Sequence, residues 1–235
     1  MKFNYNDQTI EFTVIYRKRK TIEINISPPD IITVISPMYI DEEKLLNAVK
    51  SKAKWIVKKL SELKEITHLK IDKEYVNGEL FLFLGRDYPL YITIDEKIKR
   101  TEITLYQERI HLTSSTNEKD QLRDTMQKWY KEKALEKITE RINHYQEYIE
   151  VRPNLVRIKD QKKRWGSCSS KRNLNFNLRC IMAPLEVLDY IIVHEMCHLV
   201  HFNHSKEFWI LVKSIIPDYE NHRQWLKING IRMEL

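Results

Sequence analysis

The stretch Tyr190-Ile191-Ile192-Val193-His194-Glu195-Met196-Cys197-His198-Leu199-Val200 decides the fold of the C-terminal part of this 235-residue chain. Apolar residues surround two histidines and one glutamate. Pro184 lies upstream, at a position typical of the first residue of a helix. A segment that is apolar almost all round predicts a buried helix from residue 184 to about residue 200.

His194 and His198 are four residues apart, so their imidazoles differ by about 40° around the helix and by about 6 Å along it. Both can therefore bind one metal ion from the same side. Glu195 follows His194 by about 100°, which places its carboxylate beside the ion. This position suits a general base that acts on a metal-bound water. The spacing, HExxH, predicts a catalytic Zn²⁺ site in which Glu195 is the catalytic residue.

A third ligand is needed, and the sequence offers the candidates His201, His204, Glu207, Glu220 and His222. A straight helix would spread His194, His198 and His201 over about 10.5 Å, too far for three rings to converge on one ion. His204 can bind only if the helix ends before it. Asn203 is suited to end a helix and Ser205 to begin the next one. This geometry favours His204 and leaves His201 to pack or to hydrogen-bond a ligand.

Two segments upstream of the helix complete the pattern. Residues 173–181, Asn-Leu-Asn-Phe-Asn-Leu-Arg-Cys-Ile, alternate strictly between apolar and polar side chains and predict a strand. The segment Arg164-Trp165-Gly166-Ser167-Cys168-Ser169 has two interpretations: a hairpin bend, or a loop that shapes a substrate cleft. Residues 155–159 are predicted to form a further strand.

Taken together, these segments resemble the YgjP-like family of zinc-dependent metallopeptidases, which has the zincin fold and is related to the SprT-like and WLM proteases. The resemblance rests on residues 164–169, the strand 173–181, Ala183-Pro184, the HExxH helix, and Asn203-His204-Ser205 with Phe208-Trp209. It extends weakly upstream through residues 55–59 and 84–88. It implies zinc bound by His194, His198 and His204, with Glu195 as general base in peptide-bond hydrolysis.

In zincins, the edge strand of the sheet binds an extended peptide. The resemblance therefore implies that the strand 173–181, or the segment 166–168 beside it, is that edge. The residues expected to contact substrate are Arg164, Gly166, Ser167, Asn177 and Arg179, and the two arginines would favour acidic side chains.

The expected fold class is α+β, with a β-rich N-terminal half followed by a zincin-like region whose active-site helix lies under a small antiparallel or mixed sheet. Strands are predicted at 9–16, 21–26 and 31–35, with the basic run 17–20 at a hairpin tip. One helix is predicted from 42 to 64, more strands over 75–113 and a long helix from 118 to 149. We expect the division to fall between 1–115 and 116–235, either as two domains or as two regions of one continuous domain.

Composition excludes several classes of protein. Four glycines in the chain fit neither a Walker loop nor a dinucleotide fingerprint, and three cysteines without CxxC spacing make a disulfide framework improbable. No apolar stretch approaches the roughly 20 residues of a membrane-spanning helix, and residues 1–7 lack the apolar core of a secretory signal. We therefore expect a cytoplasmic protein without membrane contact.

The net charge is +7, and residues 157–172 carry seven basic side chains against one acidic side chain, Asp160. Such a segment could bind nucleic acid or an acidic substrate, although a solvated hairpin explains it as well. The leading hypothesis is a zinc-dependent metallopeptidase acting on a peptide or protein. The alternatives are a DNA-associated protein, including a protease that acts on nucleic-acid-bound proteins, and a metal hydrolase of a non-peptide amide.

Overall fold

The computed structural model describes residues 1–6, 8–27, 30–67, 72–161 and 164–235. The chain forms two compact units, residues 1–71 and 72–235, and each has a hydrophobic core of its own. The structure is mixed α+β, with a β-rich N-terminal half followed mainly by helices, which confirms the predicted fold class. No helix among the described residues has the length and apolar character needed to cross a membrane.

The first unit contains five strands and two helices among its described residues: β1 (Lys2–Tyr5), β2 (Gln8–Glu11), β3 (Thr13–Arg17), β4 (Glu23–Ser27), β5 (Ile31–Pro37), α1 (Glu42–Lys50) and α2 (Ala53–Thr67). β1 and β2 pair as an antiparallel hairpin. The other strands form a sheet in the order β3-β5-β4. Two predictions change here, because the strand expected at 9–16 is divided into β2 and β3, and the helix expected at 42–64 is divided at residues 51–52.

The basic run 17–20 is not the tip of a hairpin, so that prediction was wrong. β5 lies between β3 and β4, parallel to the former and antiparallel to the latter. β5 has the strongest alternation of buried side chains in this sheet, with Ile32 and Val34 in the core. A strand with one well-buried face is stabilised by neighbours on both sides, which accounts for its central position.

The division of the predicted helix leaves its apolar stripe intact. Asp41 is the N-cap of α1, and its side chain accepts hydrogen bonds from two backbone N–H groups. At the junction, the N–H of Lys52 donates to the carbonyl of Val49, which closes a tighter turn than that of an α-helix. Buried side chains nevertheless continue from α1 into α2 against the same core. Hydrophobic periodicity therefore does not reveal the break.

The second unit contains seven strands and four α-helices among its described residues: β6 (Leu80–Phe83), β7 (Arg86–Ile94), β8 (Glu102–Tyr106), β9 (Arg109–Ser114), α3 (Lys119–Tyr145), β10 (Leu155–Lys159), β11 (Gly166–Cys168), β12 (Asn173–Asn177), α4 (Leu185–Cys197), α5 (Lys206–Ile215) and α6 (Tyr219–Asn229). Short 3₁₀ helices follow α3, β12 and α6. One sheet has the order β6-β7-β9-β8 and the other β10-β12-β11.

The hairpin β6–β7 joins the first of these sheets to the C-terminal helices. Its two-residue turn, Leu84-Gly85, has positive φ at both positions. The N–H groups of these two residues donate to the carbonyls of Ile181 and Met182, at 2.8 and 3.0 Å. Strands 80–114 therefore share a core with α3 and α4. The division between units consequently lies at 71–72 and differs from the expected 115–116.

A buried ion pair holds α4 against α3. Arg141 Nε and Nη2 donate to the two carboxylate oxygens of Asp189, at 2.7 and 2.8 Å. The hydroxyl of Tyr145 donates to Asp189 Oδ2 at 3.0 Å. Because it is paired and hydrogen-bonded, the carboxylate is tolerated on α4. This helix is buried almost all round, as the sequence predicted.

The sheet beside α4 is mixed, because β12 pairs parallel to β10 and antiparallel to β11. The strand predicted over 173–181 ends at Asn177, where the Asn177 side chain accepts a hydrogen bond from the N–H of Arg179 and starts a 3₁₀ helix over Leu178–Met182. β12 is central and β11 is at the edge. Of the two candidates for the edge, only residues 166–168 occupy it.

We predict that Gly85→Ala destabilises the protein more than Gly78→Ala. Both glycines have φ near +80°, so an alanine is strained by about 1–2 kcal/mol at either position. At Gly85 a Cβ would also lie 2.8 Å from Pro184 Cα, whereas nothing lies within 4 Å at Gly78. Urea denaturation should show a further loss of about 1–3 kcal/mol for Gly85→Ala. Equal losses would contradict the close contact.

Candidate metal centre

Three histidine side chains converge at the C-terminal end of α4. His194 lies in its last turn, His198 is its C-cap, and His204 precedes the N-cap of α5. The Nε2 atom of His204 lies 3.1 Å from that of His194 and 3.2 Å from that of His198. Nitrogens that share a tetrahedral zinc at its usual bond length are about 3.3 Å apart. The cluster therefore has the dimensions of a metal site.

The convergence depends on an early end to α4. The helix was expected to reach about residue 200 and to stop at a left-handed Asn203. Instead it ends at Cys197, with His198 as its cap, and Asn203 is not among the described residues with positive φ. Ser205 caps α5 as predicted, because its side chain accepts from the N–H of Phe208. The six residues between the two caps, 199–204, turn the chain so that His204 faces α4.

The hydrogen bonding of His198 leaves one of its nitrogens free for a metal. Its Nδ1 lies 2.9 Å from the carbonyl oxygen of His201, and only an N–H can bond to a carbonyl. A neutral ring protonated at Nδ1 directs the lone pair of Nε2 at the other two histidines. His201 therefore contacts His198 through its backbone carbonyl, and its imidazole is not one of the converging rings.

Aromatic side chains of α5 orient the imidazoles. Phe208 stacks on His198, with ring centroids 4.5 Å apart, and Trp209 stacks on His204 at 5.5 Å. Trp209 also contacts His194 at 5.7 Å. Such packing restricts the rotamers of all three rings before any ion binds, and pre-organised ligands lose less entropy on binding.

The surroundings of two of these imidazoles, His194 and His204, favour the neutral form. Burial lowers the pKa of His194 to about 3, with smaller contributions from His198, His204 and Arg223. The pKa of His204 is lowered by burial and, to a smaller extent, by His198 and Arg223. The Nδ1 atom of His194 is buried and has no hydrogen-bond partner among the described residues. Neutral nitrogens whose lone pairs meet at one point fit a divalent cation better than a hydrogen-bonded cluster.

Glu195 lies beside this cluster in a dry environment. Its side chain is buried, and Oε2 has no hydrogen-bond partner among the described residues. Burial raises the pKa of the carboxyl to about 8, and the Arg164 guanidinium opposes that shift. An unpaired buried carboxylate is costly in a purely structural role. A carboxyl with a raised affinity for protons suits general acid–base chemistry.

Gly166 makes room for the Glu195 side chain. A Cβ on Gly166 would lie 2.6 Å from Glu195 Cγ and Oε1. The edge strand β11 therefore approaches the carboxyl more closely than any side chain on residue 166 would allow. This contact explains why residue 166 is a glycine. The sequence alone allowed two interpretations of this segment, a hairpin bend or a loop that shapes a substrate cleft.

The other predicted substrate residues have different surroundings. Ser167 lies in β11, where its carbonyl and hydroxyl accept weak hydrogen bonds from the Asn175 amide. The amide of Asn177 is buried and donates to the carbonyls of Gln161 and Arg164. Arg179 forms ion pairs with Asp160 and Glu234. Asn177 and Arg179 therefore hold neighbouring segments in place, and Arg164 remains exposed.

Sequence reasoning missed one residue near the cluster, Arg223 of α6. Its guanidinium lies over the ring of Trp209, with Cζ 5.4 Å from the centroid. Tyr219 also stacks on Trp209, at 5.2 Å. Tyr219 and Arg223 are four residues apart, which places both on one face of a helix, and this spacing is the signal that could have revealed Arg223.

Comparison with known proteins identifies the class to which this fold and site belong. The YgjP-like metallopeptidase domain matches residues 20–229. Among solved structures, the chain is similar to the crystal structure of the metallopeptidase zymogen of Pyrococcus abyssi abylysin, with 21% identity, a TM-score of 0.36, and coverage of 39% of this chain and 95% of that one. No curated protein matches the chain.

The match spans well over half of the sequence, so the chain belongs to the YgjP-like metallopeptidase family. It is therefore a metallopeptidase, a hydrolase that requires a divalent metal ion and acts on peptide or protein substrates. The resemblance seen in the sequence is confirmed at this level.

We predict that Gly166→Ala impairs peptide hydrolysis while leaving the three histidines in place. The added methyl group would collide with Glu195 and force either its carboxyl or β11 to move. A displacement of about 1 Å at a catalytic group can cost about 100-fold in rate. Gly78→Ala, in open space, is the control. Activity of Gly166→Ala equal to that of the control would contradict the assigned role of the contact.

Proposed function

We propose that the protein is a zinc-dependent metallopeptidase in which His194, His198 and His204 bind the ion and Glu195 is the general base. The observation that carries the proposal is the convergence of three imidazoles, in which Nε2 of His204 lies 3.1 Å from that of His194 and 3.2 Å from that of His198. Three nitrogen donors with a fourth position open are characteristic of catalytic zinc sites.

When bound, zinc would polarise the substrate carbonyl and lower the pKa of a water molecule in the open position. The rest of the chemistry belongs to residues of the chain. The imidazole of His198 is held by the His201 carbonyl, and Phe208 and Trp209 hold the rings of His198 and His204. Such outer contacts keep metal ligands oriented and raise their basicity.

Glu195 would accept a proton from water as its oxygen attacks the carbonyl carbon. It would then deliver that proton to the amine that leaves. Its burial supports this role because the proton moves within a site shielded from bulk water. The contact with Gly166 restricts the carboxyl to the side of the cluster that faces β11.

The edge strand β11 is the proposed binding surface for the substrate backbone. β12 pairs with one side of β11, and the other side has no strand partner among the described residues. An extended peptide could add to this edge through main-chain hydrogen bonds, which give affinity with little side-chain selectivity. Gly166 and Ser167 would supply that edge. Arg164, exposed and close enough to act on Glu195, would favour acidic side chains.

The alternative of nucleic-acid binding gains no specific support. Within segment 157–172, Lys162 and Lys163 lie outside the described residues. Asp160 in the same segment is paired with Arg179. The hydrolysis of a non-peptide amide would use the same residues, but membership of a metallopeptidase family favours peptides.

We predict that His204→Ala loses zinc whereas His201→Ala retains it. The imidazole of His204 belongs to the converging set, and His201 contributes only its carbonyl. Atomic emission analysis of dialysed, zinc-loaded protein measures the difference. The opposite result, with zinc lost from His201→Ala and kept by His204→Ala, would show that the ligand set is wrong.

We predict that Glu195→Gln keeps its zinc but loses peptide hydrolysis by about 10²–10⁴-fold, the usual contribution of a general base. Glu207→Gln changes an exposed glutamate of α5 and serves as the matched control. Initial rates on a panel of peptides, with zinc content measured in parallel, provide the test. Near-normal turnover would reject Glu195 as the base, and loss of zinc would make it a ligand.

A further inference from the structure

Helix α6 carries three polar side chains toward one side, Tyr219, His222 and Arg223, spaced as i, i+3 and i+4. α6 packs against α4, the helix that supplies two of the three histidines. Tyr190 of α4 contacts Tyr219 at 6.3 Å and His222 at 6.4 Å between ring centroids. The three side chains therefore lie close to the metal centre, on an element that the proposed mechanism has not yet used.

Only one of the three is free to bind an anion. His222 Nε2 lies 3.3 Å from a carboxylate oxygen of Asp218. The hydroxyl of Tyr219 lies 3.4 Å from a carboxylate oxygen of Glu220. Arg223 has no ion pair among the described residues, and its guanidinium is permanently charged.

Trp209 places this guanidinium next to the histidines. Arg223 Cζ lies 5.4 Å from the centroid of the Trp209 ring, a cation–π contact. The same ring stacks on His204 at 5.5 Å and contacts His194 at 5.7 Å. The Trp209 side chain thus contacts both the cation and two of the proposed ligands.

The cation and the base are held by different elements. Gly166 of β11 contacts Glu195, whereas Arg223 of α6 lies over Trp209 of α5. Trp209 in turn contacts His194 and His204. The histidines therefore have a base and an unpaired positive charge in their surroundings, each held by a separate part of the fold.

We propose that Arg223 is a catalytic residue that binds the oxygen of the scissile carbonyl as that oxygen becomes negatively charged. The inference rests on the proposed function of the same site. Water oxygen bonds to the carbonyl carbon, its proton passes to Glu195, and the π electrons move to the carbonyl oxygen. When the C–N bond breaks, the C=O bond re-forms and Glu195 gives its proton to the nitrogen. Arg223 donates hydrogen bonds to the charged oxygen between these two events.

The test compares three variants of the zinc-loaded, full-length protein. Arg223→Met removes the charge but keeps the length, Arg223→Lys keeps the charge, and Lys227→Met removes an exposed charge one turn further along α6. Loss of one such donor typically lowers kcat by about 100-fold. We expect that loss for Arg223→Met, with KM within about threefold and zinc content unchanged. Arg223→Lys should recover part of the rate, and Lys227→Met should match the wild type.

A second measurement does not depend on turnover. N-phosphoryl-Leu-Trp carries a tetrahedral anionic group that imitates the charge of the transition state. By isothermal titration calorimetry, Arg223→Met should bind it at least about tenfold more weakly than Lys227→Met does. If no peptide of the panel is cleaved, this comparison alone decides the role of Arg223.

Three results would overturn the inference: unchanged kcat in Arg223→Met, a rise in KM with kcat unaltered, or equal affinities of Arg223→Met and Lys227→Met for the phosphoryl peptide. Loss of zinc from Arg223→Met would also reject it, because the residue would then be structural. The proposed function fails separately, if Glu195→Gln remains active or if the wild type does not retain zinc.

Discussion

Three imidazoles converge at the C-terminal end of the buried helix α4, and the rest of the catalytic region is arranged around that convergence. α4 must end at His198, because a longer helix would carry the chain away from the cluster. His198 must carry its proton on Nδ1, which donates a hydrogen bond to the His201 carbonyl. Ser205 then starts α5 at once, which brings Phe208 against the rings. Each of these features is local, but the three imidazoles converge only when all of them are present.

α4 carries two buried carboxylates, of which one is paired with a cation and the other is not. Asp189 is bound by Arg141 and Tyr145, so its charge is compensated and joins two helices. Glu195, six residues later, has an oxygen without a partner and a pKa raised to about 8 by burial. Similar burial therefore accompanies a structural ion pair in one case and an unpaired carboxyl with a raised affinity for protons in the other. The two carboxylates differ because Asp189 has a cationic partner and Glu195 Oε2 has no hydrogen-bond partner among the described residues.

The site also depends on residues far from it in sequence. The turn Leu84-Gly85 hydrogen-bonds the 3₁₀ segment that leads into α4. At the other end of the chain, Met233 is fully buried in the same core, and Gly230 packs so closely on Trp165 that a Cβ would lie 2.6 Å from the ring. Trp165 immediately precedes β11. The edge strand beside Glu195 is thus supported by the C-terminal residues, which makes residues 72–235 a single structural unit.

The sequence by itself determined the buried helix, its two histidines and the glutamate, because a helical repeat converts spacing directly into direction. It also indicated His204, since a straight helix excluded His201, and the capping role of Ser205. It could not determine the order β3-β5-β4, the end of β12 at Asn177 or the division at residue 71, because these depend on which distant surfaces pack together. The position of Arg223 could not be predicted either, because it too depends on how distant surfaces pack. A charged residue on a surface helix has no distinguishing pattern, and only the packing of α6 on α4 and the stacking on Trp209 bring it to the metal centre.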